Sequence, residues 1–336
     1  MTMITTDICI IGAGPVGLFA VFEAGLLKMR CHLVDALPEV GGQLTEIYPK
    51  KPIYDIPGAP GILAEDLIRN LLVQIEDFRP TYSLGERVEA IQKQPDNSMI
   101  VRTNEDTQIH CQVVVLAAGL GSFEPRKPAV SNLEYFEGKG VNYMVKSPEL
   151  FRAQKVVLAG GGDSALDWAI YLSEIAERVT LIHRNETFRG APDSAAKVME
   201  LAHSGKIDLF LQTQVKGLGG NGRLNSVEVV DQNKKHFQIP ADSFIPLFGL
   251  SPKLGPIANW GLGIDKSAVL VNTLDYSTTE ARIYAIGDIN TYPGKLKLIL
   301  CGFHEAAIMM QSAFKFVYPE QKLSFKYTTV NGINTF

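Results

Sequence analysis

Two glycine-rich turns contain the residues of this sequence whose types and spacing could perform chemistry. In the first turn, Gly12, Gly14 and Gly17 follow a short apolar run and precede a helix-like stretch. Such glycines allow a tight turn and a close approach of the backbone to a pyrophosphate, which the N-terminus of the next helix attracts. A second apolar run, residues 31–34, ends at Asp35, where a carboxylate can bind a ribose 2′-hydroxyl. The first turn therefore predicts a dinucleotide site.

The same order of elements returns around Gly160 and Gly162, but the acid is missing. The position 23 residues after Gly160 is His183, and Arg184 and Arg189 follow it. A 2′-phosphate is a compact dianion that two guanidinium groups match in charge and geometry, whereas a carboxylate would repel it. The second turn therefore predicts a site that prefers NADPH to NADH. The alternative is that both arginines are solvated surface charges, and His183 by itself indicates a packing or hydrogen-bonding residue.

Apolar runs predict the elements that position these turns. Besides the strands beside the glycines, residues 113–119 and 282–288 have the pattern of buried strands. The simplest assembly inserts the second nucleotide domain into the first, so that residues 1–117 and 284–336 form one domain and residues 118–283 the other. The predicted fold class is α/β, with two Rossmann-like, three-layer nucleotide-binding domains.

Composition limits the classes of function. The chain has 336 residues, 46% of them apolar, and a net charge of −4, which fits two globular domains and gives no nucleic-acid footprint. The four cysteines form no C-x-x-C pair, so neither a disulfide framework nor a metal site is expected. The apolar stretch from Cys9 to Leu27 contains the glycines of the first turn and no basic segment precedes it. We therefore expect no signal peptide and no membrane span, and a cytoplasmic protein.

With both turns in place, three further segments extend the pattern to nearly the whole chain. They are the Leu-Ala-Ala-Gly segment that ends at Gly119, the loop of residues 41–48, and the late Gly287-Asp288 pair. In these features the chain resembles the flavoproteins with two dinucleotide-binding domains, and in particular the thioredoxin-reductase-like group. The resemblance implies FAD in the first domain and NADPH in the second, with Asp288 on the flavin ribitol and residues 41–48 beneath the flavin.

One departure from that group bears on the function. A thioredoxin reductase carries a redox-active cysteine pair just before the second glycine turn, and Met144 and Ser147 stand there instead. Without a dithiol the reduced flavin must pass its electrons directly to another acceptor. The group members that lack the pair are the thioredoxin-reductase-like ferredoxin–NADP reductases. The resemblance therefore implies hydride transfer from NADPH to FAD, followed by single-electron transfer to ferredoxin or flavodoxin, with no catalytic side chain beyond the flavin.

The resemblance and the two turns assign the cofactor contacts as follows. The FAD positions are Gly12, Gly14, Pro15, Gly17, Asp35, Gln43, Tyr48, Val88, Phe123, Asp288, Tyr327 and Thr329. The NADPH positions are Gly160, Gly162, Asp163, Ser164, His183, Arg184 and Arg189. The tail from Ser324 to Phe336 is of the kind that places a ring over the flavin of a partner subunit, which implies a homodimer. Tyr327 is the predicted ring, and the alternative is a plain surface tyrosine.

Ferredoxins are acidic, so a basic rim near the flavin is expected. The candidates are Lys50 and Lys51, which follow Tyr48, and Lys295 and Lys297, which follow Asp288. That these lysines are only solvated surface charges is an equally good interpretation.

The main alternative function is an NADPH-dependent reductase of a low-molecular-weight disulfide, which uses one cysteine in the first turn, where this chain has Val16. A flavin monooxygenase and a non-enzymatic redox sensor of the same fold are more distant alternatives.

Overall fold

The structure is a computed structural model that describes residues 3–145, 147–323 and 332, without the side chains of residues 122–124 and 250–252. The chain forms two compact units. The first unit consists of residues 1–122 and 252–336, and the second of residues 123–251.

The helices and strands follow one another along the chain with these bounds. The helices are α1 (Pro15–Leu26), α2 (Gln43–Glu46), α3 (Ala64–Ile75), α4 (Leu133–Phe136), α5 (Asp163–Leu172), α6 (Pro192–His203) and α7 (Ile299–Val317). The strands to the end of the first segment are β1 (Met3–Thr5), β2 (Ile8–Ile11), β3 (Cys31–Asp35), β4 (Pro52–Ile53), β5 (Ile62–Leu63), β6 (Thr81–Leu84), β7 (Val88–Lys93), β8 (Met99–Thr103), β9 (Gln108–Cys111) and β10 (Val113–Leu116). The remaining strands are β11 (Ser122–Pro125), β12 (Lys155–Ala159), β13 (Arg178–Ile182), β14 (Ile207–Phe210), β15 (Gln214–Asn221), β16 (Arg223–Val230), β17 (His236–Pro240), β18 (Ser243–Pro246), β19 (Leu250–Lys253), β20 (Ile264–Asp265), β21 (Ala268–Leu270), β22 (Ile283–Ala285) and β23 (Asn290–Thr291).

The first unit is built on a parallel sheet with the strand order β22-β10-β2-β3-β6. Because β2 is buried on both faces, its residues alternate between two cores. Ile8 and Ile10 pack in a core with residues of α1, α3 and α7. Cys9 and Ile11 pack in another core with residues of the sheet β1-β9-β8-β7. The unit therefore has three layers, and the carboxyl ends of its parallel strands lie at one edge.

The second unit repeats this plan on a smaller scale. Its parallel sheet has the strand order β14-β13-β12-β18, and a separate antiparallel sheet contains β15, β16 and β17. Val157 and Ala159 of β12 share a core with Leu218 and Val227 of the antiparallel sheet. The predicted α/β class with two Rossmann-like domains is confirmed by this architecture.

The position at which the chain returns to the first unit differs from the prediction. We predicted residue 284, whereas the return occurs at Pro252, so that residues 252–283 belong to the first unit. Ile257, Leu262 and Val269 lie in the same buried core as Ile11 of β2, which explains why this segment belongs there. The segment contains a 3-10 turn and the short strands β20 and β21, which carry little periodicity for a sequence analysis to detect.

Candidate functional site

The three glycines of the first turn serve three different purposes. Gly12 has φ +110°, and a Cβ there would lie 2.4 Å from the carbonyl oxygen of Ala117 at the end of β10. A Cβ on Gly17 would lie 2.0 Å from the carbonyl oxygen of Gly12, so α1 packs directly against its own turn. A Cβ on Gly14 would meet nothing within 4 Å. Gly12 and Gly17 are therefore required by the fold, whereas Gly14 borders open space at the N-terminus of α1.

Asp35 lies at the end of β3 and is tied to this turn. Its carboxylate accepts hydrogen bonds from the backbone N–H of Ala13, at 2.7 Å, and of Leu37, at 2.9 Å. Burial raises the pKa of Asp35, and the two hydrogen bonds oppose that rise. Since each carboxylate oxygen has two lone pairs, the side chain retains acceptor capacity for a hydroxyl group beside the turn.

The loop that follows brings Gln43 to the same edge of the sheet. Gly41 donates a backbone hydrogen bond to the carbonyl oxygen of Ala13 at 2.8 Å. A Cβ on Gly42 would lie 3.2 Å from the Cα of Gly14, so the loop and the turn are in close contact. The amide nitrogen of Gln43 lies 3.4 Å from the place that a Cβ on Gly119 would occupy.

The charge of Asp288 acts on Tyr48, although the two residues are far apart in the sequence. Burial, and then the charges of Asp288 and Asp55, raise the pKa of Tyr48 to about 12. Burial also raises the pKa of Asp288, which Lys297 and Lys295 lower and Glu305 raises. The predicted FAD residues of the first turn, of residues 41–48 and of the late Gly-Asp pair thus belong to one region of the first unit.

Lys295 does not belong to a basic rim, contrary to the prediction. Its ammonium group forms an ion pair with Glu305, and the two side chains are 5% and 0% exposed. Lys297 is exposed, and Lys50 is paired with Glu65 at 2.6 Å, with half of its side chain exposed. Lys51 lies 5.7 Å from the centre of the Tyr48 ring. Three lysines therefore remain as candidates for the rim.

The second turn has the same construction. A Cβ on Gly160 would lie 2.7 Å from the carbonyl oxygen of Leu247, and one on Gly161 only 2.1 Å from the ring of His183. A Cβ on Gly162 would again meet nothing within 4 Å. This turn therefore also borders open space at the N-terminus of its helix, α5. His183 is buried, and its Nε2 lies 3.0 Å from the carbonyl oxygen of Thr187.

The segment that carries the two predicted arginines is fastened to this turn. Asp163 accepts a hydrogen bond from the N–H of Ala191 at 2.7 Å, and the N–H of Arg189 donates to the carbonyl oxygen of Gly161 at 2.7 Å. Burial lowers the pKa of His183, and the charges of Arg184 and Arg189 act in the same direction.

Both guanidinium groups are exposed, and no acidic partner for either is found in the part of the chain that the structure describes. They are therefore available to an anion. Ser164, at the start of α5, is also exposed.

The other predicted FAD contacts are only partly covered. Pro15 is the first residue of α1. Val88 is buried at the start of β7, so that a ligand could reach its backbone but not its side chain. The side chain of Phe123, and the whole of Tyr327 and Thr329, lie outside the described residues.

The four cysteines form no disulfide, and the two buried thiols whose pKa is raised are unreactive. Cys9, Cys31 and Cys111 are buried and Cys301 is partly exposed, and all four thiols are free. A hydrogen bond with Cys111 and then burial raise the pKa of Cys9, and burial also raises that of Cys31, so neither thiol favours the reactive thiolate.

Sequence reasoning missed the buried contacts of Glu305. A single acid within the mostly apolar stretch from Leu300 to Met310 is nevertheless a detectable signal. No described helix is both long and apolar enough to span a membrane. Within residues 3–145 and 147–323, no three His, Cys, Asp or Glu side chains are grouped so that they could hold a metal ion.

Comparison with known proteins places these observations in a family. Residues 6–307 match the family described as pyridine nucleotide-disulphide oxidoreductase. The ferredoxin–NADP reductase of Flavobacterium johnsoniae is 58% identical over 335 residues, which cover 99% of this chain and 95% of that protein. The ferredoxin–NADP reductase of Bradyrhizobium diazoefficiens is 48% identical over 327 residues, with 97% and 96% of the two chains covered.

Among solved structures, the thioredoxin reductase of Lactococcus lactis has a TM-score of 0.79 at 22% identity and covers 94% of this chain and 99% of its own. The bacillithiol disulfide reductase of Staphylococcus aureus has a TM-score of 0.75 at 19% identity, with 95% and 100% covered. These similarities establish the fold.

Proposed function

The chain belongs to the pyridine nucleotide-disulphide oxidoreductase family, and we propose that it transfers electrons between NADPH and ferredoxin through bound FAD. One observation carries the proposal: the chain has two open glycine turns of the same construction, one followed by a partly buried acid and the other by two exposed, unpaired arginines among the described residues. Relatives that are 58% and 48% identical over nearly their full lengths are named ferredoxin–NADP reductases, which gives the acceptor.

The first unit is the proposed FAD domain. The open space at Gly14 fits a diphosphate, since nothing prevents its approach to the backbone N–H groups at the start of α1. Asp35 would bind the ribose, and Asp288 the ribityl chain. Tyr48 and Gln43 would hold the plane of the ring system and exclude water from it. FAD, when bound, supplies the conversion between a two-electron hydride step and single-electron steps.

The second unit is the proposed NADPH domain. The open space at Gly162 fits the coenzyme diphosphate, and Arg184 and Arg189 would bind the 2′-phosphate. Asp163 contributes by holding Ala191, and with it the arginine segment, against the turn. His183 contributes as a neutral packing group on Gly161, because burial lowers its pKa.

A disulfide reductase of the same fold is less well supported than the ferredoxin reductase. Met144 and Ser147 replace the cysteine pair, and Val16 occupies the position of the single cysteine in the first turn. The Val16 side chain fills the space over Gly302, where a Cβ would lie 2.4 Å from Val16 Cγ2. This position therefore carries a packing residue rather than a nucleophile.

We further propose an acceptor surface, an assembly and a location. Lys50, Lys51 and Lys297 are the proposed basic rim for acidic ferredoxin, and flavodoxin is the alternative acceptor. By the family resemblance the chain forms a homodimer, in which Tyr327 covers the flavin of the partner subunit and Thr329 contacts it. The free thiols fit a reducing compartment, and the proposed location is the cytoplasm.

Anaerobic turnover of the purified yellow protein tests the proposed function. NADPH or NADH is supplied with and without ferredoxin, and electron transfer is followed through the reduction of cytochrome c. We expect kcat/KM for NADPH to exceed that for NADH by about tenfold or more, because a charge-assisted contact with the 2′-phosphate contributes about 1.5–3 kcal/mol. Fast cytochrome c reduction should require ferredoxin. If NADPH reduces the flavin and ferredoxin adds nothing, the cofactors stand and ferredoxin is the wrong acceptor.

A further inference from the structure

A fully buried carboxylate, that of Glu305, lies in α7 and belongs to neither nucleotide fingerprint. Its side chain is 0% exposed, within a mostly apolar stretch of the helix. An ionised carboxylate in such surroundings is unfavourable unless it is paired and hydrogen-bonded. The groups that satisfy Glu305 therefore indicate what it does.

Both oxygens of Glu305 are bound by the segment that contains Asp288. Oε2 accepts hydrogen bonds from the backbone N–H of Gly287 at 2.7 Å and from the Asn290 amide at 2.8 Å. Oε1 accepts one from the Tyr292 hydroxyl at 2.8 Å and forms the ion pair with Lys295. One carboxylate thus contacts four residues of a nine-residue segment, including the residue immediately before Asp288.

We propose that Glu305, neutralised by Lys295, is a positioning residue that holds the Gly287-Asp288 turn in its flavin-binding conformation. The inference rests on the FAD site proposed above. Gly287 has φ +74°, so this turn uses a left-handed backbone conformation, and the hydrogen bond from its N–H to Glu305 stabilises that conformation from the side of α7.

The same turn is held from the side of the first glycine turn. A Cβ on Gly287 would lie 3.4 Å from Val16 Cγ2, and one on Gly302 would lie 3.3 Å from the Gly287 Cα. Val16 of α1 and Gly302 of α7 therefore both pack against Gly287. Packing excludes most movements of this residue, and the Glu305 carboxylate fixes the direction of its N–H group.

Lys295 neutralises the charge of the Glu305 carboxylate. Without it, the buried charge of Glu305 would act on Asp288, whose pKa Glu305 raises and Lys295 lowers. Because the pair cancels, the carboxylate can fix the turn without adding a net negative charge beside Asp288. This role also accounts for the burial of Lys295, which a residue of a ferredoxin rim would not need.

A double-mutant cycle on FAD affinity tests the inference. FAD dissociation constants are measured by titration of the apo-protein for the wild type, Glu305→Gln, Asp288→Asn and the double variant. Glutamine has one acceptor oxygen instead of two and no charge, so its NH2 group must face donors on one side, either Gly287 and Asn290 or Tyr292 and Lys295, and Lys295 loses its ion pair. We therefore expect Glu305→Gln to raise the dissociation constant by about tenfold, and Asp288→Asn to do the same. If Glu305 acts through Asp288, the double variant should also show about tenfold rather than a hundredfold.

The absorbance spectrum of the bound flavin is the second readout, since a role only in stability would not change it. Glu305→Gln should shift the spectrum in the same direction as Asp288→Asn. Glu23→Gln is the matched control, because Glu23 is a partly buried glutamate on α1 whose pKa burial raises, and it should match the wild type. Tyr292→Phe removes only the hydroxyl that donates to Glu305, and it should raise the dissociation constant for FAD by about threefold. This variant replaces Glu305→Gln in the test if Glu305→Gln does not fold.

Three outcomes overturn the inference. In the first, the effects of Glu305→Gln and Asp288→Asn on FAD affinity add in the double variant. In the second, Glu305→Gln binds FAD with wild-type affinity while Asp288→Asn is impaired. In the third, Glu305→Gln does not fold and Tyr292→Phe binds FAD with wild-type affinity. Each of them leaves the proposed function standing. A wild-type chain that takes up no FAD overturns the proposed function and the inference with it.

Discussion

Replacement of Gly14 with alanine should separate cofactor binding from folding. Gly14 has φ −73° and ψ −178°, an extended conformation that alanine adopts without strain. A Cβ there would contact nothing within 4 Å, so the folded apo-protein accommodates it. Since alanine lowers the entropy of the unfolded chain, the free energy of unfolding of the apo-protein should rise by about 0.4–1 kcal/mol.

FAD binding should change in the opposite direction. The methyl group occupies the open space through which a diphosphate reaches the start of α1, and loss of one charge-assisted hydrogen bond costs about 1.5–3 kcal/mol. The FAD dissociation constant should therefore rise by about 10- to 150-fold. Gly17→Ala is the contrasting variant. Its Cβ would lie 2.0 Å from the Gly12 carbonyl oxygen, and the forced shift should destabilise the apo-protein by about 1–3 kcal/mol.

Two measurements on the same preparations decide the matter. Denaturant unfolding of the apo-protein gives the stability, and titration with FAD gives the affinity. Gly162→Ala is the matched control in the second turn, where a Cβ also meets nothing within 4 Å, and it should weaken NADPH while leaving FAD affinity unchanged. If Gly14→Ala binds FAD as the wild type does, the diphosphate does not pass over Gly14, and the proposed geometry of the first site is wrong.

Further predictions concern single side chains. The double variant Arg184→Ala with Arg189→Ala should raise KM for NADPH by about 10- to 100-fold and leave KM for NADH unchanged. The control is Arg152→Ala, which removes a surface arginine paired with Glu149 and should change neither KM. Equal losses with both coenzymes would contradict a 2′-phosphate site. Tyr48→Ala should loosen FAD or shift its absorbance, and an unchanged spectrum with full FAD retention would count against ring stacking. Asp288→Asn should stabilise the apo-protein at pH 7, because the pKa of the Asp288 carboxyl is raised in the folded state and its ionisation therefore destabilises that state. The gain in stability should shrink as the pH falls towards 3.8, the ordinary pKa of an aspartate. A gain that does not depend on pH would refute the assignment. Lys297→Glu should slow ferredoxin-dependent turnover about two- to fivefold at low salt but not ferricyanide reduction, and rates insensitive to salt would remove the rim.

The parts of the fold that the sequence predicted are those that rest on local patterns. The strand, turn and helix at each glycine motif are determined within about 30 residues, because the turn needs glycines and the strand and helix need apolar residues of different period. β2 with α1 and β12 with α5 were recognisable for that reason. The change from Asp35 to His183 at equivalent positions was also readable, since it depends only on counting.

The parts that were missed depend on contacts between distant segments. No residue next to Lys295 in the sequence indicates that its partner is Glu305, which comes ten residues later. From the sequence alone, this buried lysine could therefore not be distinguished from a surface lysine. The return at Pro252 was missed because Ile257, Leu262 and Val269 join the first unit through packing, without a regular period. Burial, which decides both cases, is a property of the folded chain and not of the local sequence.

The contrast between the two turns also bears on how long each cofactor remains bound. At the first turn, Asp35 is partly buried, and residues 41–48 and 287–288 converge on the same region, so a ligand there would be enclosed by several segments. At the second turn, the two arginines are exposed, and the segment of residues 183–191 that carries them is fastened to the turn by hydrogen bonds. Enclosure slows dissociation, whereas exposed charges mainly accelerate association. We therefore expect FAD to stay with the protein through purification and NADPH to exchange in every turnover. An enzyme that carries electrons between a soluble coenzyme and a second protein needs this difference between its two cofactors.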